Sequence, residues 1–137
     1  MRIAITGYPN SGKTTLASLL VLVSQFPIRK TDELLETHEW SELSEEVSKW
    51  FEAPGPWIVE GVAVPRAIRK WRLRHPRSKP PFDMFIYIQR PFMDMRPGQR
   101  SMSLGLDTVM LELWQWLRRN KVWVFTLGGP DLDEDDA

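Results

Sequence analysis

Gly7-Tyr8-Pro9-Asn10-Ser11-Gly12-Lys13-Thr14 sets two glycines four residues apart and follows the second with Lys and Thr. This is the spacing of a phosphate-binding P-loop. Glycine lets the backbone wrap closely around an anion, with successive N–H groups pointing inward. Lys13 has the reach for terminal phosphates, and the Thr14 hydroxyl is a suitable ligand for a Mg²⁺ ion bridging them. Gly7, Tyr8, Pro9, Asn10, Ser11, Gly12, Lys13, Thr14 and Thr15 therefore form a candidate nucleotide-binding segment, with ATP and Mg²⁺ as the expected cofactors.

The flanks have the periodicities that such a loop requires. Met1-Arg2-Ile3-Ala4-Ile5-Thr6 upstream reads as a short, mostly apolar strand, and Leu16, Leu19, Leu20 and Val23 downstream recur at helical spacing. A helix starting at about residue 13 would aim its free N–H groups and positive dipole end at the phosphates.

The chain has 137 residues, 42% hydrophobic and 26% charged, which suits one globular domain with a real core. Cysteine is absent, so neither a disulfide framework nor a thiolate metal site is available. No run approaches the roughly 20 apolar residues of a membrane span, and residue 1 leads straight into strand pattern rather than a signal sequence. A cytoplasmic protein without membrane contact is expected. A formal net charge of zero argues against generic nucleic-acid binding.

Further strands are expected at Phe26-Pro27-Ile28-Arg29-Lys30 (short and weak, with a proline suited to an edge), Trp57-Ile58-Val59-Glu60-Gly61, Met84-Phe85-Ile86-Tyr87-Ile88 and Val122-Trp123-Val124-Phe125-Thr126-Leu127. Helical segments alternate with them. A turn over 31–36 is expected to be capped by Thr31 or Asp32. The next helix, capped by Ser41, would bury Leu43, Val47, Trp50 and Phe51. Another from about residue 65 would bury Val64, Ile68 and Trp71. A last one carries Leu106, Val109, Met110, Leu113 and Leu117, with Asp107 near its start. Residues 92–104 lack a clean period and contain Pro97-Gly98, which reads as a loop or short helix. Five strands alternating with helices give an α/β domain with a parallel sheet over residues 1–130. Residues 131–137 form an acidic tail expected to be disordered.

In such a sheet the ligand lies at the C-terminal ends of the strands. That singles out Asp32 after the second strand, Glu60 ending the third and Arg90 following the fourth. Phosphoryl transfer needs a carboxylate near the metal and another at the attacking hydroxyl, so Asp32 and Glu60 can divide these tasks. Asp32 also reads as a plain helix cap. Arg90, Arg96 and Arg100 flank the irregular segment and read either as a lid supplying charge or as a solvated loop. Gln99 and Arg100 could instead touch a nucleotide base. The basic run of Arg66, Arg69, Lys70, Arg72 and Arg74 is a solvated face or a docking surface for a phosphorylated or nucleic-acid substrate. Six of the seven tryptophans, Trp123 among them, sit at core spacing; Trp40 is the candidate for stacking on a base.

With these residues together, the chain resembles the small P-loop kinases that act on nucleosides, nucleotides and metabolites, including compact versions often encoded by phages. The resemblance rests on 7–14, Thr31-Asp32-Glu33 and Ile58-Val59-Glu60-Gly61, and it covers nearly the whole chain. It implies a three-layer fold with strand order 2-3-1-4-5. It makes Asp32 the base at the acceptor and puts Glu60 near the metal; Lys13 and Thr14 serve the phosphates and their cation by the loop motif, and Arg90, Arg96 and Arg100 are the candidates, by position, for stabilising charge. The implied reaction moves the γ-phosphate of Mg-ATP to a small hydroxyl or phosphate acceptor, a nucleoside, nucleotide or related metabolite. A nucleic-acid end is a less favoured acceptor. The alternative is a nucleotide-binding ATPase or switch module, or a degenerate kinase that binds a partner. A switch GTPase would carry Asn-Lys-x-Asp and an Asp-x-x-Gly after the third strand, and this chain has neither.

Overall fold

A computed structural model describes residues 1–8, 13–35, 37–89 and 96–128, with the Thr14 side chain left out. Pro9, Asn10, Ser11, Gly12, Arg90 and the 131–137 tail, each given a role above, lie outside the described residues.

Five strands, β1 (Arg2–Gly7), β2 (Ile28–Lys30), β3 (Trp57–Glu60), β4 (Met84–Ile88) and β5 (Trp123–Leu127), form one parallel sheet in the order β2-β3-β1-β4-β5. β1 is central, and its register with β3 and β4 brings Gly7, Ile88 and Glu60 to the same C-terminal edge. β3 is buried along its length because it is covered on both faces, which explains its unbroken apolar run.

The helices are α1 (Lys13–Ser24), α2 (Trp40–Trp50), α3 (Val64–Arg74) and α4 (Pro97–Arg119). They are unequally shared. α2, α3 and α4 bury Leu43, Val47, Ile68, Trp71, Leu106, Met110 and Leu113 against Ala4, Val59, Phe85 and Tyr87 on one side of the sheet. On the other side, of the described helices only α1 packs on Ile3, Ile5, Ile58 and Ile86, using Leu16, Ala17, Leu20 and Val21. The periodicity of α1 therefore pointed to the wrong stripe, since Leu19 and Val23 face solvent. A helix that is apolar on every side gives its pattern no phase. α1 ends where Gln25 takes φ 61 and donates its N–H to the Val21 carbonyl.

Other expectations are corrected. Residues 97–104 are not a loop: α4 starts at Pro97 and runs without a break to Arg119. Proline in the first turn costs no intrahelical bond, and the Arg96 N–H donates to Gln99 Oε1, so Pro97-Gly98 opens a helix instead of interrupting one. Asp107 consequently lies in mid-helix. Ser41 is not a cap, because Trp40 is already helical and Glu39 precedes it. Neither Thr31 nor Asp32 is a cap either: both are inside a 3₁₀ turn, Thr31–Leu34, preceded by Lys30. Trp123 is not core but 63% exposed, since no described helix covers β5 on the α1 side.

The basic run on α3 has structural partners. Arg74 reaches Glu45 at 2.8 Å and Ser48 at 2.9 Å on α2, and Lys70 donates to the Ser41 carbonyl at 2.6 Å. Arg69 lies 3.5 Å from Glu112 on α4, and Arg72 lies over the Trp116 ring. These side chains stitch α3 to both neighbours. Among the described residues, no helix is long and apolar enough to cross a membrane.

The adjacent pair Met110 and Leu111 tests this packing, since Met110 is fully buried and Leu111 63% exposed. In urea denaturation, Met110→Ala should cost about 2–5 kcal/mol, and Leu111→Ala less than about 0.5 kcal/mol.

Candidate active site

The site is built where the C-terminal ends of β1, β2 and β3 meet the start of α1. Lys13 is 7% exposed and donates from Nζ to the Tyr8 carbonyl at 3.2 Å. Burial lowers its pKa from the ordinary lysine value, opposed by the negative charges of Glu60 and Asp32. The side chain is thus largely stripped of water and held beside two carboxylates.

Glu60 is fully buried at the end of β3, level with Lys30 on β2 and Ile5 on β1. Gly61 then turns the chain with φ +150. Its N–H donates to the Ile5 carbonyl, and its carbonyl accepts from Thr6 Oγ1 at 2.8 Å. A Cβ at residue 61 would come within 1.7 Å of Thr31 Oγ1. Only glycine lets the 3₁₀ turn seat so close to β3. That seating presents Asp32 to the cleft beside Lys13 while Thr31 is fully buried.

The cleft has a volume of about 680 Å³. Lys13, Asp32, Arg96 and Gln99 supply its polar groups, and Leu35, Trp40, Val62 and Met102 its apolar walls. Trp40 is 40% exposed here, with the Arg66 guanidinium 5.3 Å from its ring centroid. The structure therefore gathers Lys13, Asp32, Glu60 and Arg96 into one region. Arg100 lies in the first turn of α4 and is not part of the cleft lining. Thr15 is exposed on α1.

One constellation was missed from the sequence. Asp107 on α4 accepts from Tyr8 Oη at 2.7 Å and Tyr87 Oη at 2.5 Å, and Gln89 Nε2 donates to Tyr8 Oη at 3.0 Å. A residue of the P-loop segment, the end of β4 and the middle of α4 are thereby joined. Burial, then the hydrogen bond to Asp107, raises both phenols well above the ordinary tyrosine range. The available signal was an acid on the apolar side of a helix, which was assigned to the helix start because the start was misplaced.

The residues present fit a Mg²⁺-nucleotide. A buried ammonium group and the N-terminus of α1 flank the phosphate loop, and the carboxylate of Glu60 belongs to the all-oxygen donor set that Mg²⁺ prefers.

No family model and no curated protein matches the sequence. Solved structures do match in shape. A gluconokinase from Sinorhizobium meliloti 1021 superposes with a TM-score of 0.55 at 14% identity, covering 97% of this chain and 85% of that one. A shikimate kinase from Aquifex aeolicus vf5 gives 0.52 at 22% identity, with 98% and 90% covered. The fold is that of the small P-loop kinases. A third example of this kinase fold is the YorR protein of Bacillus subtilis, solved in complex with phosphorylated GDP, with a TM-score of 0.50 at 14% identity over 98% and 90% of the chains.

The chain has two tyrosines, both in the Asp107 network. Spectrophotometric titration should detect no phenolate in the folded protein up to about pH 11, whereas the urea-unfolded chain should ionise near pH 10. Because the folded pKa values are raised, stability from these groups is present below pH 10 and is lost above it. Normal titration of either phenol in the folded state would contradict the network.

Proposed function

We propose that the protein is a Mg²⁺-ATP-dependent phosphotransferase whose acceptor occupies the cleft between Asp32 and Trp40. The observation that carries this reading is the shared cleft of a buried Lys13, at the start of α1, and an exposed Asp32. The fold shared with gluconokinase and shikimate kinase supports it.

Mg²⁺-ATP, when bound, would supply the phosphoryl group to be transferred and a cation to offset its charge. Lys13 and the N–H groups of the 7–14 loop bind the phosphates. Thr14 and Glu60 are the residues to hold the cation. Asp32 would orient the acceptor hydroxyl and take its proton as that oxygen bonds to the γ-phosphorus and the bond to the departing ADP breaks, which is why this carboxylate must reach the cleft while Glu60 stays buried. Arg96 neutralises developing negative charge, and Arg90 and Arg100 are assigned the same task. Trp40, Met102 and Leu35 offer an apolar wall that includes one indole face, which suits an acceptor with a planar ring, such as a nucleoside or nucleotide, better than a fully hydroxylated one.

Offered pooled nucleosides, nucleotides, sugars and sugar acids, the protein should phosphorylate a ring-bearing acceptor. Lys13→Ala should abolish transfer and weaken ATP binding. Asp32→Asn should lower kcat by about 10²–10⁴ with ATP affinity nearly unchanged. Trp40→Ala should raise the KM of the acceptor and leave that of ATP unmoved. Normal turnover by Asp32→Asn would remove Asp32 from the mechanism; ATP binding without transfer to any pool would favour a nucleotide-binding module.

A further inference from the structure

The two faces of the sheet differ in how they are finished. On the α2–α3–α4 side the outer surfaces carry charge, from Glu42, Lys49, Arg69, Glu112 and Arg118 among others. The α1 side carries none over long stretches. No charged residue occurs between Lys13 and Arg29, which brackets α1, nor between Lys121 and Asp131, which brackets β5.

β5 pairs in register with β4, so Trp123, Phe125 and Leu127 point the same way as Met84, Ile86 and Ile88, toward the α1 side. α1 packs across β1 and β3. No described helix lies over β5 there. The result is a helical ridge beside an open trough, with Leu19, Leu22 and Val23 on the ridge and Trp123, Phe125 and Leu127 on the floor of the trough. These six side chains are between 46% and 86% exposed. They present on the order of 700 Å² of apolar surface, more than the largest patch on a typical monomer and close to what each partner of a stable complex contributes.

We propose that this face is a homodimer interface in which α1 of each copy lies in the trough over β5 of the other. A second copy is the occupant because the surface carries both halves of the fit. A two-fold axis between ridge and trough seats each ridge once and leaves no half unmatched, as an isologous interface requires. The absence of charge leaves nothing on the face to select an acidic or basic partner. Burial on both sides also accounts for an α1 that is apolar all round. This inference is independent of the phosphotransferase reading.

Sedimentation velocity and light scattering on the full chain test it. The protein should run at twice its 16.0 kDa chain mass at about 20 µM. Leu22→Glu and Phe125→Glu should each raise the dimer dissociation constant by about thirtyfold or more, with the helical circular dichroism retained. Because the chain lacks cysteine, Leu22→Cys and Phe125→Cys proteins can also be mixed and oxidised. A disulfide joining unlike chains is expected if ridge meets trough, and this cross-link decides the matter should a Glu variant fail to fold. A chain that stays monomeric at about 200 µM would overturn the proposal. So would dimers that survive both Glu substitutions, or cross-links only between like chains.

Discussion

The close approach of Thr31 to Gly61 is the contact on which the site depends. The space that a side chain on residue 61 would fill is occupied by the threonine hydroxyl. Because of this, the turn after β2 lies against the end of β3, and a carboxylate from each strand reaches the neighbourhood of the same lysine. A β2 of three residues has little pairing of its own with which to hold that turn. Its position is fixed by a steric fit at its C-terminal end, not by a long ladder. Gly61 in turn is held by two hydrogen bonds to β1, so the acceptor side of the cleft is referred to the central strand.

Lys13 shows how burial and charge are balanced there. Removing an ammonium group from water disfavours its charged form, and the Tyr8 carbonyl and the two acids offset this. An incoming phosphate would add further negative charge beside a cation with few competing waters, where electrostatic attraction is stronger than at an open surface. Asp32 and Glu60 differ in the same respect: one faces the cleft and can meet a substrate hydroxyl, and the other is enclosed by three strands.

Much of this could be read from the residues. The apolar runs of β1, β3 and β4 sit deep in the sheet, and periodicity is unambiguous for a strand that is buried throughout. The loop motif located Lys13, and parallel topology selected Asp32 and Glu60. What could not be read has physical causes. Pro97-Gly98 is as good a helix start as a loop, and only the buried phase of Ser103 and Leu106 decides between them. α1 has no polar face to orient it. The alternation of Trp123, Phe125 and Leu127 with Val124 is the pattern of a strand covered on one face only, although every one of these residues is apolar. The tyrosine network links residues separated by 20 and 99 positions, so no local spacing announces it.

Asp107 acts as a fulcrum. Its two oxygens fix α4 to the P-loop segment and to β4, while the helix continues from there back to its first residue, Pro97, beside Arg96. At 1.5 Å per residue this is a lever of about 15 Å, and a tilt of about 5° about the anchor moves its tip by about 1.3 Å. Displacements of about 1 Å at a reacting centre are large enough to change rates a hundredfold. Any shift of Tyr8 that tilted α4 about this anchor would therefore be magnified at the Arg96 guanidinium that borders the cleft.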